Sequence, residues 1–185
     1  MTEQAHNSNV DAALHSLQRE SDRGSVLVGT AFIDNALKFA LHADFSPTSD
    51  AQRTAVKALI GARGPLGRMW ARLQFARARR IVDDETGAAI DVIRTIRNRF
   101  AHDYEHVTFA APELKPAIET LVAFGREAFS PEIAATLASH ASDPRRFART
   151  AFEFTVMYVV GFLHGYVSGR HPDIDHAAYL AEKSG

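Results

Sequence analysis

The sequence predicts an all-α protein, a single helical bundle of about five to seven helices. Apolar residues recur at helical spacing in several segments, whereas no alternating pattern indicates two strands joined by a turn. Hydrophobic residues make up 46% of the 185 residues, enough for a substantial core in a chain of single-domain length. The expected organisation is a flexible N-terminus over residues 1–10, a helical domain over 11–167 and a polar C-terminal tail over 168–185.

Four helical segments are predicted in the first half of the domain, over residues 11–19, 25–41, 50–60 and 65–80. The second is apolar almost all round, which indicates a central and buried position. Ser49 or Asp50 suits the N-cap of the third, because a short polar side chain there accepts a bond from a free backbone N–H. Pro65 suits the first turn of the fourth, where its missing N–H is not needed.

Four further segments are predicted in the second half, over residues 84–101, 113–129, 131–139 and 144–167. Asp83 or Asp84 suits the N-cap of the first, and Pro131 separates the second from the third. The last segment is rich in Phe, Val and Tyr, and it carries more large apolar groups than one helix face can bury. It is therefore expected to contribute to a homodimer as well as to the core.

Several classes of protein are excluded by composition. Cysteine is absent, which excludes disulfide scaffolds, thiolate zinc sites and cysteine nucleophiles and fits a reducing cytoplasm. The N-terminus lacks the apolar core of a signal peptide, and the longest apolar run, 152–167, is short for a membrane span. His164, His171 and His176 lie near acidic residues but match no closed ligand set. The expectation is a cytoplasmic protein with no metal, no cofactor and no membrane contact.

The formal net charge of −1 hides an uneven distribution. Residues 52–100 carry a net charge of +7, and the remainder of the chain carries a net charge of −8. A basic face of this kind attracts nucleic acid or another polyanion, whereas the alternative is a solvated helix face neutralised by acidic neighbours. The arginines expected to contact nucleic acid or another anion are Arg63, Arg68, Arg72, Arg77, Arg79 and Arg80.

The most informative stretch, 97–102, ends a strongly patterned helix. On a helical wheel Arg97 lies inside the apolar arc, while Asn98 and His102, four residues apart, share the adjoining flank. A guanidinium in that position keeps its charge and needs a carboxylate, a phosphate or carbonyl groups. Arg97 therefore either ties the core together or acts on an anion. The apolar arc consists of Ile90, Ile93, Ile96 and Phe100.

A structural role for this stretch makes a specific prediction about its partners. Arg97 would pair with Glu20, Asp22 or Asp34 inside the bundle, and His102 would bind the last carbonyl groups of its helix. His102→Ala would then cost about 0.5–1 kcal/mol of stability. Arg97→Ala would cost several times more, because it would leave a buried carboxylate unpaired.

Three segments together resemble the mannitol operon repressor family: Glu-Ser-Asp-Arg-Gly at 20–24, Gly-Pro-Leu-Gly at 64–67 and Ile-Arg-Thr-Ile-Arg-Asn-Arg-Phe-Ala-His at 93–102. They occur in order and at compatible spacing within roughly residues 14–121. The resemblance implies an all-helical, often dimeric bacterial regulator of transcription without a recognisable helix-turn-helix. Such a regulator would be non-enzymatic and would act through contacts with a regulatory protein or with nucleic acid.

A narrower resemblance concerns Arg97, Asn98 and His102 alone. Their spacing is similar to the Arg-x-x-x-x-His signature, with a polar second residue, of HEPN-type helical ribonucleases, which are small dimers whose two motifs meet across the interface. The resemblance implies that Arg97 stabilises the phosphorane, that His102 is the acid or base and that Asn98 orients one of them. A metal-independent ribonuclease is therefore the alternative to the regulator.

Overall fold

The computed structural model describes residues 14–102 and 107–170. These residues form helices and connecting turns with no strand among them, which confirms the predicted all-α fold class. A 3-10 turn, Pro112–Leu114, precedes α6. The predicted N-terminal segment 1–10 and residues 171–185 of the predicted tail lie outside the described part. The helices are α1 (14–19), α2 (Asp22–Phe45), α3 (Asp50–Ile60), α4 (Met69–Ala78), α5 (Asp84–His102), α6 (Lys115–Ala128), α7 (Pro131–Ala138) and α8 (Pro144–Arg170).

The chain divides into two compact units. Unit 1 comprises the described residues up to Ile33 together with Ala88–Val159, and unit 2 comprises Asp34–Gly87 with the described residues from Val160 onward. The divisions fall inside α2, α5 and α8, so each of these helices contributes residues to both units.

The core of unit 1 is built where α2 and α8 approach closely. Gly29 permits this approach, because a Cβ atom there would lie 3.2 Å from both Phe152 and Val156. The Phe152 ring packs against Phe109, and Phe109 packs against Phe100, with ring centroids 5.4 Å apart in each pair. Tilted ring packing of this kind adds to the stabilisation that comes from burying apolar area.

The aromatic residues of α8 in unit 1 are covered by α6 and the residue that follows it. Phe124 meets the edge of Tyr158 at 5.3 Å between ring centroids, and Phe129 packs against Phe154 at 6.2 Å. None of the exposed large apolar side chains of the described chain belongs to α8. The large apolar side chains of α8 are therefore buried or partly exposed in the described chain, and the homodimer stays a prediction.

In unit 2, Asp44 links α2 to two other helices. It accepts hydrogen bonds from the Tyr166 hydroxyl at 3.0 Å and from the Arg79 Nε at 2.9 Å. Burial raises the pKa of Tyr166, and the hydrogen bond to Asp44 raises it further. The rings of Phe45 and Phe75 pack against each other with centroids 5.5 Å apart, so α2 and α4 share an apolar contact as well.

The predicted N-caps are found, while one predicted helix start is wrong. Ser49 accepts a hydrogen bond from the Gln52 N–H, and the Gln52 side chain accepts one from the Ser49 N–H, each at 3.3 Å. Asp83 accepts a hydrogen bond from the Thr86 N–H at 2.7 Å, ahead of α5. The helix expected from residue 65 begins only at Met69.

The late start of α4 has a physical cause in the loop 61–68. The Leu66 N–H donates to the carbonyl oxygen of Leu59 at 3.0 Å, which folds the loop back onto the end of α3. Gly64 allows this path, because a Cβ atom there would clash with the carbonyl oxygens of Ala58 and Leu59. The proline therefore lies in a turn instead of a helix.

Helix α2 has the length and apolar composition of a helix that could cross a membrane. However, 56% of its most apolar window is buried inside the protein. A core helix has the same length and composition, and the buried share of α2 agrees with the burial expected from its sequence.

Two glycines of the long helices should respond in different ways to alanine. Gly165 lies inside α8 and a Cβ atom there would meet nothing within 4 Å. Because glycine is a poor helix former, Gly165→Ala is expected to raise the free energy of unfolding by about 0.5–1 kcal/mol. Gly29→Ala is the matched control, since its Cβ would press on Phe152 and cancel the gain. Urea denaturation measures both, and an equal gain from the two variants would contradict the packing described for Gly29.

Candidate functional site

The stretch 97–102 forms the end of α5, in unit 1. Arg97 and Asn98 are half-buried, and the Arg97 Nη1 donates to the Asn98 Oδ1 at 3.4 Å. His102, the last residue of the helix, is exposed. Within the part of the chain that the structure describes, Arg97 has no carboxylate partner. The motif therefore brings Arg97 and Asn98 together, and among the described residues it does not form the ion pair that the structural role requires.

The carboxylates expected to pair with Arg97 have other partners or none. Asp22 binds arginines at the start of α8, as described below. Asp34, in unit 2, binds Arg72 and also Lys38, whose Nζ lies 2.8 Å from the carboxylate. Glu20 contributes its backbone carbonyl oxygen to a hydrogen bond, and no ion pair of its carboxylate is seen among the described residues.

Arg149 is the centre of a buried ionic network in unit 1, which we call the Arg149 cluster. Its Nε donates to Glu153 at 2.8 Å and its Nη1 to Asp22 at 3.3 Å. Its Nη2 donates to the carbonyl oxygens of Leu17 at 2.8 Å and Glu20 at 2.9 Å. Every nitrogen of this guanidinium is therefore used, and the cluster ties α1 and the start of α2 to α8.

The two carboxylates of the Arg149 cluster are deeply buried. Glu153 is 5% exposed and also accepts a hydrogen bond from the Ser25 hydroxyl at 3.0 Å. Asp22 is 4% exposed, and it accepts bonds from the Phe109 N–H at 3.1 Å and the Arg145 Nε at 2.9 Å. The hydrogen bond to Asp22 raises the pKa of Arg145. Buried charges that are paired in this way hold helices together at defined positions.

A polar pocket of about 520 Å³ opens beside the Arg149 cluster. Its wall includes three arginines and three acidic residues, so the positive and negative charges on it are equal in number. Arg146 is exposed on this wall, and its side chain has no partner among the described residues. Such a wall suits polar or charged groups. The charged residues of the wall are Asp22, Asp143, Arg145, Arg146, Arg149 and Glu153.

The six arginines expected to contact nucleic acid have different environments in unit 2. Arg72 is only 2% exposed and binds Asp34, so it is part of the core. Arg79 is exposed but paired with Asp44. Arg77 is half-buried and its guanidinium packs against Gly87. The remaining three are exposed and have no partner among the described residues: Arg63, Arg68 and Arg80.

Metal-ligating side chains do not assemble in the described part of the chain. No group of three or more His, Asp or Glu residues lies close enough there to hold a metal ion. His171 and His176, which the sequence places near acidic residues, lie outside the described residues.

The fold is similar to that of a solved protein. A chain of the MtlR–HPr complex from Escherichia coli, determined by X-ray crystallography, matches this protein with a TM-score of 0.67. The match covers 83% of this chain and 97% of the other chain, at 16% sequence identity. At this identity the likeness shows a shared fold. No protein-family model and no curated protein sequence matches the chain.

Proposed function

We propose that this protein is a non-enzymatic regulator of transcription, of the mannitol operon repressor type, that works by binding another protein. The observation that carries the proposal is the shared fold with a chain of the MtlR–HPr complex, over 97% of that chain. A protein related to HPr is the partner that this likeness suggests. The protein would act in the cytoplasm and without a helix-turn-helix.

The segments that resemble the family support this proposal through their structural roles. Segment 20–24 contains Asp22, which anchors the Arg149 cluster. Segment 64–67 contains Gly64, whose missing side chain lets the loop fold onto α3. Segment 93–102 supplies Ile93, Ile96 and Phe100 to the core. These residues specify the fold that the chain shares with the solved complex, and the binding function is proposed from that likeness.

The partner is tested by titrating the purified protein with purified E. coli HPr in a calorimeter. A saturable complex at micromolar concentration is expected, and ubiquitin, a small protein of unrelated function, serves as the control. Sedimentation of the protein alone tests the homodimer, which rests on the family resemblance and on the partly exposed aromatic residues of α8. Absence of binding to HPr, both from E. coli and from the protein's own host, would remove HPr as the partner.

A metal-independent ribonuclease is the second candidate, and one observation favours it. Arg97 is not neutralised by a carboxylate among the described residues, and His102 is exposed on the same end of α5. A half-buried cation without an anionic partner is suited to a phosphate group, and an exposed histidine can move a proton. In this reaction Arg97 would stabilise the phosphorane, and His102 would act as the acid or base during attack by the 2′-hydroxyl.

The two candidates are separated by incubating the protein with single-stranded RNA in EDTA. Under the regulator proposal the wild type, Arg97→Ala and His102→Ala all leave the RNA intact. Under the ribonuclease alternative only the wild type cleaves.

Stability provides a second readout for the same two variants. Each should change the free energy of unfolding by no more than about 1 kcal/mol, because no buried carboxylate pairs with either residue in the part of the chain that the structure describes. A much larger loss of stability for Arg97→Ala would support the ion pair with a buried carboxylate that the sequence predicts.

A further inference from the structure

Trp70 is the only tryptophan of the chain and the most exposed of its large apolar side chains in the described part, at 55%. It lies in the first turn of α4, directly after the loop 61–68. Arg68 is the N-cap residue of α4 and makes no side-chain capping bond, and Arg63 is exposed in the loop. Neither arginine has a partner among the described residues. Trp70, Arg63 and Arg68 are called the Trp70 surface below.

The loop that carries this surface is held in place from the inside by Arg72. The Arg72 Nη2 donates to the carbonyl oxygens of Gly67 at 2.8 Å and Ile60 at 3.2 Å. Its Nη1 binds Asp34. A buried arginine therefore joins the loop to α2 and to the end of α3. The exposed arginines and Trp70 are presented on a fixed backbone, which lowers the entropy lost when a ligand binds.

The Trp70 surface lies in a strongly basic part of the chain. Residues 51–82 contain eight Lys or Arg and no Asp or Glu. Three of these cations are paired with acidic residues outside that range: Arg53 with Asp50, Arg72 with Asp34 and Arg79 with Asp44. The charges of Arg63 and Arg68 are not compensated in this way, so the surface attracts an anionic ligand.

We propose that the Trp70 surface binds a single-stranded nucleic acid, with one base stacked on Trp70 and the adjacent phosphates bound by Arg63 and Arg68. An unpaired base offers a flat π-face to an exposed aromatic side chain whatever its identity, and a duplex does not. A guanidinium group matches the geometry of a phosphate through paired N–H donors. This activity is independent of the protein partner proposed above and adds a second, nucleic-acid ligand.

The composition of the surface favours a nucleic acid over an acidic protein. A stable protein interface buries about 800 Å² on each partner, around an apolar centre. In unit 2 the only other exposed large apolar side chain among the described residues is Leu59, at 37%. One aromatic ring among free arginines is too small an apolar centre for such an interface, whereas it is sufficient for a stacked base.

Because Trp70 is the only tryptophan, its fluorescence reports directly on this surface. The full chain is titrated at low salt with oligo(dT) and oligo(U) of about 12 nucleotides, within the usual range of single-strand sites. Stacking is expected to quench the emission, and binding should weaken as salt rises. Poly-L-glutamate is the control polyanion, which has charges but no bases and should neither quench nor bind as tightly.

Variants locate the site, with binding measured by the anisotropy of a labelled oligonucleotide. Trp70→Ala should weaken binding about 10- to 100-fold, while Trp70→Phe, which keeps a ring, should retain most of it. Arg63→Gln and Arg68→Gln should each reduce the dependence on salt. Arg53→Gln is the matched control, because Arg53 is already paired with Asp50. Melting curves verify that each variant is folded.

Three results would each overturn the proposal. They are no binding of either oligonucleotide, equal binding of poly-L-glutamate and oligo(dT), and unchanged binding by folded Trp70→Ala. Equal binding of poly-L-glutamate would instead show that the surface attracts polyanions in general.

Discussion

Arg149→Met is expected to lower the free energy of unfolding by about 3–5 kcal/mol, because it leaves Glu153 and Asp22 buried without their shared cation. The carbonyl oxygens of Leu17 and Glu20 also lose their bonds to Arg149, and Leu17 keeps only the bond from the Glu20 N–H. For a domain of this length the loss corresponds to a fall in melting temperature of about 6–20 °C. Methionine preserves most of the side-chain volume, so the effect reports on the charge and hydrogen bonds and not on a cavity.

Arg146→Met is the matched control for this prediction. Arg146 lies three residues earlier on α8, is exposed and has no side-chain partner among the described residues. Its substitution should change stability by less than about 0.5 kcal/mol. The double substitution Arg149→Met with Glu153→Leu should recover part of the loss, because an apolar pair can replace a buried ion pair. Equal melting temperatures for Arg146→Met and Arg149→Met would show that the Arg149 cluster contributes nothing to stability.

The helices were predictable because their signals are local. The capping box at Ser49 and Gln52 and the apolar character of 25–41 can be recognised within a few residues of sequence. The loop 61–68 was less predictable. Pro65 suits the first turn of a helix and also a turn, and the contact that decides between them is the hydrogen bond from Leu66 back to Leu59. That contact depends on the end of α3 and not on the residues around the proline.

The ionic partners were less predictable than the helices. The helical wheel placed Arg97 in the apolar arc but could not identify its partner. Three carboxylates were possible, because an ion pair can form between residues at any separation in sequence. The observed partners of Asp22 are Arg145 and Arg149, more than 120 residues away, and helix packing alone brings them together. One local signal was available: Arg149 and Glu153 are one helical turn apart and form an ion pair. The exposure of Trp70 was not predictable either, because a helical pattern does not show which apolar residue is left exposed.

The loop that carries the Trp70 surface provides the second large expected effect. Arg72→Met should lower the free energy of unfolding by about 2–4 kcal/mol, because the carbonyl oxygens of Ile60 and Gly67 lose their buried donor. Asp34 keeps Lys38 as a partner, so the loss should be smaller than for Arg149→Met. Chemical denaturation measures the total effect.

Amide hydrogen exchange locates the effect of Arg72→Met within the fold. The Leu66 N–H, bonded to Leu59, should exchange faster once Arg72 no longer holds the loop, while amides in the middle of α8 follow only the global loss of stability. Arg79→Met is the control, since Arg79 directly follows α4, pairs with Asp44 and has a side chain that is 55% exposed. Its effect should stay below about 1 kcal/mol. The opposite outcome is an equal loss of stability in both variants together with wild-type exchange at the Leu66 amide. The loop would then be held by its own turns and glycines, and Arg72 would have no role in presenting Trp70.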